Sequence, residues 1–434
     1  MSGRTGANGF SRRDFGRLVA GGSAACLLPT AWGPAEASRV AWQRAVQPAP
    51  ANPGEAYWRS VREQFLLPAD LVVMNAANLC PASSVVVQAL EAQTRHVDRD
   101  PSMPNRRVMG DLREATRRTL AEALRVTPDE IVITRNTSEG NNLVSSGVDL
   151  KAGDEVLVCA DNHPSLLAAW HTKAKRFGFT VRAVEVVSPH PGDAHYVDAF
   201  VTQMNAHTRV VAFSHVTASV GDVFPAREIC RAARQRGILS IVDGAQSFGV
   251  LDCDLSDMQP DFFTGSAHKW PCGPRENGVL YMRTSAQSKV WPSIISLYSG
   301  AVGASRTFEG MGQRDEAAMI AFGEALRFQA TIGRAAIERR SRELAQALVE
   351  GLKTLSDVKV WTHPDASRSA AIVSFRPGSL DAGTLATALY EKDRIAVTAR
   401  GGADRGGLRV SPHFYNLHEE VDRLVGAVRK YLKS

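Results

Sequence analysis

The stretch Asp261 to Pro274, DFFTGSAHKWPCGP, sets Lys269 between His268 and Trp270, with small residues before it and Pro-Cys-Gly-Pro after it. Lysine is rarely buried unless it is paired or chemically used. Its amine becomes a nucleophile where a partly desolvated, cation-rich pocket lowers its pKa, and a salt-bridged lysine is the bland alternative. Two other stretches carry comparable groups. Asp243 opens DGAQS, with Gln246 behind it, where a carboxylate serves chemistry or fixes a turn. Thr137 and Ser138 in RNTSEGNNLV follow an apolar run, a place where hydroxyls and free amides cap a helix or hold a phosphate. Each signal is weak alone, and their order along the chain makes them specific.

The elements that must position these groups alternate. DEIVIT, DEVLVCA, TVRAVEVV, RVVAFSHV, GILSIVDG and GVLYMR are short, β-branched apolar runs, and between most of them lie helix-like stretches such as SLLAAWHTKAKRFG and AREICRAARQRG. That order argues for an α/β fold with a mainly parallel sheet covered on both faces. Ligands of such sheets bind beyond the carboxyl ends of the strands. Thr137, Asp243 and Ser266 all follow strand-like runs, as that rule requires. Farther on, EAAMIAFGEALRFQATIG and ERRSRELAQALVEGLKTL read as long amphipathic helices.

At 434 residues, with 44% hydrophobic and 22% charged residues, the chain fits one large and one smaller domain with a full core. The net charge is +6, yet no block of five like charges occurs, so nucleic acid is not an expected partner. Residues 1–37 carry the twin arginine Arg12-Arg13, an apolar stretch from Leu18 to Leu28 and the motif Ala35-Glu36-Ala37, the layout of a twin-arginine export signal. That apolar stretch is too short for a membrane span. Cys26 is a candidate for lipid attachment. Four basic and two acidic residues leave with the signal, taking the charge from +6 to +4. A periplasmic or secreted location is therefore expected, with the export machinery as a partner. Residues 38–56, rich in alanine and proline, read as a linker. The five remaining cysteines are odd in number and form no C-x-x-C pair, so neither a disulfide framework nor a metal site is expected. There is no G-x-S-x-G elbow of a serine hydrolase and no G-x-G-x-x-G dinucleotide loop.

Six motifs in order, TSEG, DNHPS, SHVTASVG, VDGAQS, GSAHKW-x-CGP and GLRVSPHFYN, resemble those of the class V aminotransferase family of fold type I pyridoxal-phosphate enzymes. That family includes cysteine desulfurases and isopenicillin N epimerase-like proteins. The resemblance spans residues 57–434. It implies a seven-stranded-type, mainly parallel sheet in a large cofactor domain (70–304) and a smaller α+β domain (57–69 with 305–434). It implies pyridoxal 5'-phosphate bound as a Schiff base on Lys269, with Asp243 facing the ring nitrogen, since the cofactor is an electron sink only when that nitrogen stays protonated. Gln246 is then expected at the ring hydroxyl, His163 stacked on the ring, and Thr137, Ser138, Ser266 and His268 around the phosphate or orienting the lysine. Arg409 is expected to grip a substrate carboxylate through a bidentate pair, with Asn75 beside it. Arg400 and Arg405 lie in the same loop as further candidates.

Two departures narrow the reading. Desulfurases carry a sulfur-accepting cysteine before the carboxylate-binding arginine, and the stretch Thr398 to Leu408 has none. Where the family tends to show Gly-Thr-x-Asp reaching the partner subunit's phosphate, this chain reads Gly312-Gln313-Arg314-Asp315, without the hydroxyl. A homodimer remains the expectation. Transamination or oxidative deamination is the first choice, because no residue marks a second base for epimerisation; epimerase and β-lyase activities follow. An exported enzyme points to a secreted or peptide-linked amine, a siderophore side chain among them. A non-catalytic binding protein on the same fold is the competing class, and it has no need for Asp243, Gln246, Lys269 and Arg409 together.

Overall fold

The computed structural model describes residues 46–401 and 405–433, so Arg12, Arg13, Cys26 and linker residues 38–45 lie outside the described residues. The strands of the principal sheet follow one short strand, β1 (Val72–Val73), and are β2 (Ile131–Thr134), β3 (Glu155–Cys159), β4 (Thr180–Val184), β5 (Thr208–Ser214), β6 (Leu239–Asp243), β7 (Phe262–Ser266) and β8 (Gly278–Met282). Their order is β2-β8-β7-β6-β5-β3-β4. From β7 to β4 every pairing is parallel. β8 runs antiparallel to both its neighbours, because residues 267–277 alone join it to β7, too few for a crossover helix. That short return carries Lys269.

Why these runs are strands is visible in their burial. Every residue of β2, β3, β7 and β8 is buried, which demands unbroken apolar sequence and cover on both faces. Alternate residues feed two cores: Leu157, Phe213, Val242, Phe263 and Val279 point into one, and Val156, Ala212, Ile241, Phe262 and Leu280 into the other. The edge strand β4 is mostly exposed. Three helices, Ser84–Arg99, Met103–Leu124 and Glu316–Ile332, pack together beside the sheet. A buried ion cluster anchors them: Arg117, fully buried, is held by Glu309 and Glu114 and donates to the Ile131 carbonyl at 2.8 Å.

The C-terminal part builds a second sheet from β9 (Val358–Val360), β10 (Val373–Pro377), β12 (Thr398–Arg400) and β13 (Gly407–Val410), antiparallel in the order β12-β13-β10-β9. Between β10 and β12 along the chain, β11 (Ile395–Ala396) pairs in parallel with β1 as a separate two-stranded sheet, just before Asn75. A separate apolar core including Leu348, Phe375, Leu389 and Leu424 lies under it. No described helix is long and apolar enough to cross a membrane.

Candidate active site

Lys269 decides its own question. Its amine has no hydrogen-bond or ion-pair partner among the described residues, so the salt-bridged alternative does not hold. Burial lowers its pKa, the charge of Asp243 partly restores it, and Arg409 lowers it further. The loop around it is pinned: Cys272 N–H donates to the Lys269 carbonyl at 2.9 Å with Cys272 in left-handed backbone (φ 55°), and Cys80 N–H donates to the His268 carbonyl at 2.9 Å. Trp270, fully buried, donates from Nε1 to Gln246 Oε1 at 2.8 Å. A nucleophile on so constrained a loop is held in one place.

Asp243 ends β6 and is buried, with the Ala245 N–H on Oδ1 and Asn141 Nδ2 on Oδ2, each at 2.9 Å. Thr264 on the neighbouring β7 donates to Asn141 Oδ1 at 3.0 Å, so the orientation of the amide is set. The turn after β6 passes so close to Phe263 that a Cβ on Gly244 would stand 2.0 Å from the ring. Gln246 gives one Nε2–H to the Ala77 carbonyl at 2.9 Å and spends Oε1 on Trp270, leaving one amide proton for a ligand.

At the other end, Thr137 N–H and its hydroxyl both lie 2.9 Å from Ser266 Oγ, joining the start of the helix Thr137–Gly147 to the end of β7. Of the two readings open for Thr137 and Ser138, cap or phosphate, the cap does not hold: Asn136 is the cap, its side chain accepting from Glu139 N–H at 3.0 Å. Thr137 is thereby released to face Ser266. Ser138 is exposed and lines a cavity of about 450 Å³ with Arg135, Asn142 and Ser293. His268, beside them, is held neutral, its pKa lowered to about 4 by burial and then by Lys269.

The substrate side is built from β12, β13 and two loops. His163 caps the helix Pro164–Phe177, its Nδ1 accepting from Ser165 N–H at 3.2 Å, so its proton sits on Nε2. The ring is open to the cleft, yet burial of its base and then Lys269 lower its pKa. Thr398 pairs across the sheet with Arg409 and donates to Asn75 Oδ1 at 2.7 Å. Arg409 donates to the Ala218 carbonyl, in the SHVTASVG motif, at 3.0 Å. Its Nε is buried with no partner among the described residues, and burial followed by Arg400 lowers its pKa to about 10. Arg400 also reaches the Ala218 carbonyl, whereas Arg405 turns to Asp161 at 3.3 Å.

The profile of aminotransferase class-V matches residues 80–424. The chain belongs to the class-V aminotransferase family. It is 31% identical over 394 residues to the isopenicillin N epimerase of Amycolatopsis lactamdurans, covering 87% of this chain and 99% of that protein. It is 30% identical over 345 residues to a probable cysteine desulfurase of Xylella fastidiosa (strain 9a5c), covering 74% and 80%. Its fold is similar to that of a C-DES mutant with glycine covalently linked to the PLP cofactor, at TM-score 0.79 and 26% identity, over 85% of this chain and 98% of that one.

Family and fold make pyridoxal 5'-phosphate the cofactor of this class-V, fold type I enzyme. The side chains fit it: an unpartnered amine, a carboxylate held by two N–H donors, and a pair of hydroxyls at a helix N-terminus stand at the ends of adjacent strands. Asn141, Thr264, Trp270, Thr398 and the Ala218 carbonyl belong to this machinery and were not singled out in the sequence. Asn141 sits one helical turn after Thr137 within TSEGNN, and that spacing on one helix face was the available signal.

Cys80, Cys272 and His413 converge beneath the Lys269 loop, their ligand atoms within 4.8 Å of one another. No local spacing announces such a trio, so the sequence expectation of no clustered ligands did not anticipate it. His413 Nε2 donates to the Trp270 carbonyl at 2.7 Å and Nδ1 accepts from Ser341 at 3.0 Å, so both ring nitrogens already serve the fold.

Proposed function

We propose that this chain moves the Cα proton of an amino-acid substrate held by its carboxylate on Arg409, with epimerisation as the outcome. The observation that carries the reading is the unpartnered amine of Lys269 with Asp243 and Arg409 in its electrostatic field. Bound pyridoxal phosphate supplies the electron sink that makes a Cα proton removable. Arg409 orients the carboxylate, and thereby the Cα–H bond, through a bidentate pair. Lys269, its pKa lowered by burial, is the first proton carrier, and His163, neutral with a proton on Nε2, is a second one at the cleft. That second carrier, together with near full-length similarity to isopenicillin N epimerase, favours epimerisation. Transamination, the sequence-based expectation, shares the first proton transfer and is the second reading. Desulfuration through a protein persulfide is disfavoured because all five described cysteines are buried.

The test uses purified holoenzyme. A visible band that borohydride removes, absent in Lys269→Ala, is expected. Amino acids incubated in D2O should then yield the opposite enantiomer with deuterium at Cα. Stoichiometric keto acid would select transamination, and absence of the band would overturn the enzyme reading.

The same reading includes a homodimer and export. Trp291, Ile294, Ile295, Leu297 and Tyr298 form an exposed apolar run, with Leu297 at 100% exposure, which supports a second copy as its cover. Equilibrium sedimentation tests it, and a monomer would refute it. Arg12-Arg13 support export. A Lys-Lys variant that still reaches the periplasm would refute that route. A peptide-linked amine, a siderophore among them, is the proposed exported substrate, and unchanged peptide profiles after gene deletion would count against it.

A further inference from the structure

We infer that Arg400 is a second anion-binding residue of this site and selects amino-acid substrates that carry a distal carboxylate. The inference rests on the reading of Arg409 as the α-carboxylate grip. Arg400 and Arg409 converge on one acceptor, the carbonyl of Ala218. Sheet register explains the convergence: Thr398 opposes Arg409, and Arg400, two residues on, shares the face of Thr398.

Neither guanidinium has a carboxylate within 4.0 Å among the described residues. The nearby acids are committed. Asp161 is paired with Arg405 and accepts from Ser219, and Asp243 is held by Asn141 and Ala245. Thr398 and Asn75 satisfy each other. Arg409 is buried and Arg400 half-buried, with the charge of Asp161 in its field, and one carbonyl oxygen cannot neutralise two cations. A single α-carboxylate compensates Arg409 and leaves Arg400, so a substrate with a second carboxylate completes the balance. Beside them a cavity of about 420 Å³ is lined by the Asp161–Arg405 pair and Glu185.

The experiment titrates the holoenzyme with aspartate, glutamate and 2-aminohexanedioate against their methyl-terminated counterparts, 2-aminobutyrate, norvaline and norleucine, reading the shift of the visible band. At least one dicarboxylate should bind about tenfold tighter than its counterpart, the worth of one charge-assisted contact. Arg400→Ala should collapse that ratio to about one, and Arg400→Lys should restore part of it. No preference in the wild type, or an unchanged ratio in Arg400→Ala, overturns the inference. Calorimetry with adipate and hexanoate on the same proteins separates the two readings, because these ligands carry no amine. An Arg400-dependent preference for adipate with no band shift from any amino acid would remove the proposed reaction and keep Arg400. Absence of both preferences in the wild-type protein removes Arg400.

Discussion

Replacing Asn141 by alanine is the sharpest perturbation of the cofactor site that leaves every expected cofactor contact in place. Its amide donates to Asp243 Oδ2 at 2.9 Å and accepts from Thr264 at 3.0 Å, and its side chain is almost wholly enclosed. Asp243 Oδ2 and Thr264 Oγ1 each lose the hydrogen bond that Asn141 provides. A hydrogen bond to a charged group contributes about 1.5–3 kcal/mol, which converts to roughly 10–150-fold in an equilibrium constant. With Asp243 proposed to face the ring nitrogen, that loss should appear as weaker cofactor binding. The assay titrates the apo-protein with pyridoxal phosphate and follows absorbance, with the melting temperature of the apo-protein measured alongside. Thr264→Val, which only frees the amide to rotate, should give a smaller loss. Asn141→Asp should be worse than alanine, since two adjacent carboxylates cannot both stay charged. Cofactor affinity within about twofold of wild type in Asn141→Ala would refute the account of how Asp243 is held.

Three further outcomes follow from packing and charge. Gly244→Ala drives a Cβ to within 2.0 Å of the fully buried Phe263 ring, so denaturant unfolding should show a loss of about 1–3 kcal/mol or more; an unchanged midpoint would refute the close approach. Glu309→Gln removes one of the two counter-charges of the fully buried Arg117 and leaves Glu114 as the other, and chemical denaturation should report a loss of about 1–3 kcal/mol. His413 is held neutral, its pKa lowered from 6.5 to about 3 by burial. The unfolded chain therefore gains a proton first, and this stability is present above about pH 6.5 and falls away between there and about pH 3. At about 1.4 kcal/mol per pKa unit the loss is roughly 5 kcal/mol. His413→Gln should flatten that part of the pH–stability curve, and an equally steep curve would refute it.

Lys269, Asp243 and five of the six motifs were legible because each sits where a strand-like run ends, and an α/β sheet places such ends on one side, whereas GLRVSPHFYN forms β13 of the second sheet. The helix start at Thr137 was legible too, but its cap was not. Asn136, Thr137 and Ser138 are all good cap residues by type, and only the position of Ser266 settles which hydroxyl is drawn elsewhere.

The sequence by itself determined the family, the alternation of elements and the lysine proposed to hold the cofactor, since these depend on local apolar runs and on motifs a few residues long. Tertiary structure alone decided that β8 turns antiparallel, that Asn141 holds Asp243 across 102 positions of chain, and that Arg400 and Arg409 share the Ala218 carbonyl. The physical reason is one of range. Propensity and periodicity act over one or two helical turns, whereas partnership between buried polar groups is set by which strand ends the sheet order brings together.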